Sequence, residues 1–221
     1  MILPLVLAAS LLGAPARADV LRGPIVFLGF TLGDTLEEVR RKGVPDSEPG
    51  DVRLVCSGDR LARETGQEMG PPDDLRKVGV KACHFIRNTG SGQWQPARFK
   101  FGRHKHTSLF YFTPKANDPA LSERLYLMAL IVEPTTFDDL AASLRKQYGK
   151  PEDEIVRSIR TKSGTPREVK MIAWYGPRYA IHLQEQGDEL DVGGVTYIDH
   201  QTNSALRRLA KAAATTPSPR P

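Results

Sequence analysis

Apolar and polar side chains alternate at every second position through much of this chain, which commits those segments to strands with one buried and one wet face. The pattern is clearest where Phe99 and Phe101 alternate with Arg98 and Lys100, and where Tyr179, Ile181 and Leu183 alternate with Ala180, His182 and Gln184. A sheet wet on one face is an antiparallel sheet, because parallel strands are usually covered on both. Strand-like segments run at 53–56, 80–86, 97–101, 109–113 and 124–132, then at 155–159, 169–175, 179–183 and 195–198. Leu125 to Val132 is apolar on both parities and reads as a central strand covered on two sides. Gly176-Pro177 and Gly193-Gly194 suit hairpin links. Parallel strand–helix–strand alternation and a glycine-rich nucleotide turn are both missing from the sequence.

Two helical stretches about a hundred residues apart repeat one design. The first runs from Thr35 through Leu36, Glu38 and Val39 to Arg40-Arg41-Lys42-Gly43-Val44-Pro45. The second runs from Thr136 through Phe137, Asp139, Leu140 and Leu144 to Arg145-Lys146-Gln147-Tyr148-Gly149-Lys150-Pro151. In each, a threonine is followed three residues later by an acid, the arrangement that caps a helix start. Basic residues, then glycine and proline, suit the end. A last helix over about Thr202 to Ala213 carries Leu206 and Leu209. The expected fold is α+β: two tandem units of helix packed on antiparallel β-sheet, plus a C-terminal helix. The expected divisions are a signal peptide at 1–18, a first unit with a disulfide-closed loop at 19–133, a second unit with the C-terminal helix at 134–214, and a disordered tail at 215–221.

Gly33, Thr35, Val39, Gly43 and Pro45 form a Gly-x-Thr-x-x-x-Val then Gly-x-Pro pattern that resembles the helical motif of the BamE (SmpA/OmlA) envelope proteins. Thr136, Leu140, Gly149 and Pro151 repeat part of it, and the tandem arrangement is similar to that of the β-lactamase inhibitor protein. Gly43 arrives one residue early for the pattern, and Lys42 stands where an apolar residue is usual. The resemblance implies a fold that binds other proteins and has no active site of its own.

Ile2 to Leu12 is an almost unbroken apolar run, and Ala16-Arg17-Ala18 before Asp19 has the small-x-small form of a signal-peptide cleavage site. The run is shorter than the roughly 20 residues of a membrane-spanning helix. Residue 19 is not a cysteine that could be lipidated, so the expectation is a soluble periplasmic or secreted protein. Cys56 and Cys83, the only cysteines, then read as a disulfide. The full chain carries net charge +5, and removing Arg17 with the leader leaves +5 − 1 = +4. That mild basicity suits an anionic envelope polymer but lacks the concentrated stripe of a nucleic-acid binder.

The densest positive stretch is Arg98, Lys100, Arg103, His104, Lys105 and His106, a candidate surface for an anionic partner that strengthens in acid as histidine charges. The plainer reading puts Phe99 and Phe101 in the core, with the cations on the wet side of a solvated hairpin at 102–108. His104 and His106 on one strand face could also hold a metal, although the sequence supplies no convincing further ligand. Trp94, among Ser, Gly and Gln residues that cannot bury it locally, is a candidate interface aromatic. Trp174, alternating with Ile172, reads as buried between sheet and helix. Ser91 lacks a nucleophile elbow, and the acid pairs Glu37/Glu38 and Asp138/Asp139 are explained by helix capping. No catalytic residue, metal site or cofactor is expected. The expected function is non-enzymatic binding of an envelope protein or anionic envelope polymer. Alternatives are an exported metal-dependent hydrolase using His104 and His106, and a structural envelope protein without a ligand.

Overall fold

The computed structural model describes residues 21, 23–44, 50–90, 92–101, 104–160, 164–186 and 192–215. Residues 1–18, Ser91, Arg103 and 216–221 lie outside the described residues, while Thr215, expected in the tail, closes the last helix. A two-residue hairpin of β1 (Val26–Phe27) and β2 (Phe30–Thr31) leads into α1 (Leu36–Lys42). Then come β3 (Val52–Cys56), α2 (Arg60–Glu64), α3 (Asp73–Lys77), β4 (Lys81–Asn88), β5 (Trp94–Pro96), β6 (Arg98–Phe101), β7 (His104–Phe112) and β8 (Leu125–Val132). A 3-10 turn at Pro134–Thr136 opens α4 (Phe137–Tyr148), followed by β9 (Asp153–Arg160), β10 (Pro166–Tyr175), β11 (Tyr179–Gln184), β12 (Gly193–Asp199) and α5 (His200–Thr215).

Ten of these strands form one antiparallel sheet in the order β3-β4-β7-β8-β12-β11-β10-β9, with β5 on β4 and β6 on β7. This corrects the expectation of two tandem helix-on-sheet units, because sheet dominates and runs unbroken through the β8–β12 ladder, from Gly193 opposite Val132 to Ile198 opposite Leu127. The physical reason is that β8 is hydrogen-bonded along both edges, to β7 on one and to β12 on the other, so strands before and after α4 share one ladder. The helices are also not confined to one face. The main core gathers β1–β2, α1 and α4 on one side, where Phe30, Phe85, Phe99 and Phe110 meet edge to face or tilted at 4.9 to 6.2 Å between ring centroids. Smaller clusters form on the other side, under α2 around Val55 and Ile86, and under α3 and α5 around Tyr126.

Local chemistry explains the helix ends unequally. Thr35 and Glu38 form the reciprocal capping box that their spacing predicts, with Glu38 N–H donating to Thr35 Oγ1 at 3.1 Å and Thr35 N–H to Glu38 Oε2 at 2.7 Å. Thr136 does not cap α4. The preceding 3-10 turn already holds it in helical conformation, and its hydroxyl donates back to Glu133 O at 2.7 Å. Trp174 is buried as expected, with its indole N–H donating to Gly149 O at 3.0 Å at the end of α4. Gly193-Gly194 is not a hairpin turn but the start of β12. A Cβ on Gly193 would sit 2.5 Å from Glu185 O, so glycine is required there by close strand approach.

Cys56 and Cys83 face each other across β3 and β4 and are joined by a disulfide, with Cα atoms 3.9 Å apart and a sequence separation of 27. The bridge closes a loop containing α2 and α3, each five residues long and contributing little core of its own. Replacing both cysteines by alanine is expected to cost about 3–4 kcal/mol on the loop-entropy argument. Thermal unfolding should then fall by roughly 10 °C, and an unchanged midpoint would show that the loop is held without the bridge.

Candidate functional site

Among the described residues, an apolar groove lies where α5 crosses the second face of the sheet beside the 113–124 loop. A cavity of about 410 Å3 opens there, walled by Pro114, Ala120 and Leu121 on the loop side and Leu206 and Leu209 on α5. Tyr126 and Leu125 line it from β8. Such a volume and a mainly apolar lining with a few polar groups are characteristic of small-molecule pockets. Leu121 and Leu209 are 63% and 58% exposed, two of the six large apolar side chains left in solvent among the described residues.

A bulge shapes this wall. Tyr111 pairs with Leu127 and Phe112 with Leu125, so Tyr126 is the extra residue on β8. Strict alternation would give Tyr126 and Leu127 opposite faces, but both pack in the cluster with Leu75, Leu206 and Ala210. The bulge thereby brings a tyrosine under α5. Its hydroxyl makes no hydrogen bond, and burial pushes the phenol far above its ordinary range.

The loop wall is pinned by its own polar groups. Thr113 Oγ1 donates to Leu121 O at 2.6 Å and accepts from Arg124 N–H at 2.8 Å. Asp118 accepts from Ala120 N–H at 2.8 Å, and Ser122 Oγ accepts from Ala116 N–H at 3.0 Å. Glu123 takes a left-handed backbone (φ 49°), held by Leu36 N–H donating to its carbonyl and by Lys81 Nζ 2.6 Å from its carboxylate. The helix wall is equally fixed. Asp199 caps α5 by accepting from Thr202 N–H at 3.0 Å, and its other oxygen accepts from Arg178 at 2.8 Å. This hydrogen bond raises the Arg178 guanidinium still further above its ordinary value. Farther along, Arg207 meets Asp74 of α3 at 2.8 Å.

The residues singled out from sequence are distributed differently from expectation. Register pairs Arg98 with Thr107, Phe99 with His106 and Lys100 with Lys105. Arg98, Lys100 and Lys105 are exposed on the second face, whereas Phe99 and His106 are buried on the core face. The pleat therefore sets the described Arg98, Lys100 and Lys105 on the face opposite His106, which is buried at 3% exposure. His104 sits beside α4, with Nε2 3.6 Å from Asp139 Oδ2 and its ring 6.1 Å from that of His106. Among the described residues no group of three or more His, Cys, Asp or Glu side chains could hold a metal ion. Trp94 is half-buried over the α2 cluster, with the Arg53 guanidinium 5.4 Å from its ring centroid. The open hollow beside it, about 520 Å3, is lined largely by polar residues including Glu64, Gln93 and Gln95, and lacks the apolar walls of the α5 groove.

Sequence reasoning missed Leu121, Arg124, Tyr126 and Arg178 as groove residues, and placed Leu209 in a helix without a role. The available signals were a lone leucine within a polar turn at Leu121 and a further leucine on α5, Leu209, beyond the Leu206 and Ala210 that the core uses. No family model matches the chain, no curated protein matches it, and no solved structure matches it.

On the same face His84 is buried with Nε2 unpaired, and burial lowers its pKa below the ordinary 6.5. The unfolded imidazole takes a proton as pH falls through about 6.5, while the folded one resists until lower pH. Stability should thus be full above that value and decline as pH drops toward the lowered folded value. His84→Leu should flatten this acid limb by up to one proton, about 1.4 kcal/mol per pH unit, in urea unfolding at several pH values. An unaltered slope would assign the acid sensitivity to other groups.

Proposed function

We propose that this is an exported, non-catalytic binding protein whose ligand lies in the groove between α5 and the 113–124 loop. The observation that carries the reading is a pinned apolar cavity flanked by two leucines left in solvent. Exposing such side chains forfeits burial worth roughly 1.5–3 kcal/mol each, which a ligand in the groove would recover. Preorganised walls support the same reading, since a rigid site avoids ordering costs on binding. Export is supported by the Cys56–Cys83 disulfide, which persists in oxidising compartments, and by the signal-like sequence at 1–18. No helix among the described residues is long and apolar enough to cross a membrane.

Calorimetric titration with dodecanol, an uncharged apolar probe, tests the groove. Saturable one-site uptake is expected, lost in Ala205→Trp, which places an indole in the groove from a half-exposed helix position without altering the core. Absence of saturable uptake by folded wild-type protein, or uptake indifferent to Ala205→Trp, would contradict the reading.

A further inference from the structure

We infer that the groove selects single-chain amphiphiles with an anionic head, the chemistry of a fatty carboxylate, with the head at Arg124 and the chain along Leu121, Leu206 and Leu209. This rests on the binding-groove reading above and adds the charge and shape of the occupant.

The charged lining consists of Arg124, Arg178 and Asp199. Asp199 is already committed to Arg178 and to the α5 amino end, so these three lining groups sum to one positive charge. Arg124 carries it. Its guanidinium donates to Pro119 O through Nε at 3.2 Å and Nη2 at 2.8 Å, and to Gly33 O through Nη1 at 3.2 Å. These partners are carbonyls, which orient the fork without neutralising it, and a guanidinium has five N–H donors, so capacity remains for a carboxylate. Glu38 is the acid that senses Arg124: its carboxylate is held below the ordinary range by the Thr35 hydrogen bonds first and by Arg124 among lesser causes, and it lies outside the lining, hydrogen-bonded to Thr35 rather than to the Arg124 fork. A cation held in place at one part of an otherwise apolar cavity complements an anion that carries a hydrocarbon chain.

The occupant is a single chain because the cavity is small. About 410 Å3 lies in the lower part of the range for small-ligand pockets, and the walls that bound it are pinned rather than free to spread. A protein partner would need an apolar surface several times that offered by Leu121 and Leu209, since stable interfaces bury roughly 800 Å2 on each side.

The test compares three probes of equal chain length on the full-length mature protein: laurate (with its matched alcohol, dodecanol) and dodecyltrimethylammonium. Laurate should bind about tenfold or more tighter than dodecanol, as a charge-assisted hydrogen bond warrants, and the ammonium should bind most weakly. Arg124→Gln should bring laurate down to the dodecanol level while leaving dodecanol unchanged, which also reports an intact groove; Arg124→Lys should keep most of the preference. Equal binding of laurate and dodecanol to wild type would overturn the anionic head and leave the groove reading standing. Failure of all three probes would overturn both. Self-association abolished by Leu209→Glu, with no probe uptake, would give the groove to a second copy of the chain and likewise overturn the amphiphile.

Discussion

Everything in this fold depends on the ladder between β8 and β12. Residues 193–198 lie antiparallel to 127–132, and this pairing joins strands formed before α4 to strands formed after it. Close backbone approach constrains β12 on both its edges. Gly194 sits where a Cβ would meet Leu130 O at 3.3 Å, while Gly193 must clear the backbone of β11 on its other edge. Two consecutive glycines weaken a strand in isolation. Here they let three strands close, and the buried side chains of Met128, Leu130, Val195 and Tyr197 offset the cost.

The groove is a by-product of that seam. β12 runs directly into α5, so the register of β12 on β8 determines where the helix begins and which part of the sheet it crosses. Asp199 fixes this junction twice, as helix cap and as partner of Arg178. On the far side, the bulge at Tyr126 and the hydroxyl of Thr113 set the path of the 113–124 loop. Two independently anchored walls leave an apolar space that neither fills. Leu209 shows the consequence: Leu206 and Ala210 are buried beside it, but it stays in solvent.

Much of the sheet was legible because alternation reports burial directly. The strands at 98–101, 179–184 and 193–199 lie close to where period-two patterning places them, as do α1, α4 and α5. What the pattern could not convey was partnership. Alternation says that a strand has a wet and a dry face, not which strand lies at its edge, so one sheet and two tandem sheets carry the same local signature. The repeated helix motif then favoured the wrong topology. The cationic stretch was partly illegible for a related reason: once register was fixed, Arg98, Lys100 and Lys105 lay on the face opposite Phe99 and His106. The groove was the least legible part. Its residues come from a loop, a bulge, a hairpin turn and a helix, and no spacing in the sequence connects Arg124 to Leu209 or to Arg178.

Methyl-labelled NMR of the protein titrated with laurate tests the central claim most directly. Shifts concentrated on the methyl groups of Leu121, Leu125, Leu206 and Leu209, with those of Leu61 beside Trp94 unmoved, are the expected result. Saturable shifts centred on the Trp94 hollow, or spread over the sheet with the α5 leucines silent, would show that this groove is not where the protein binds.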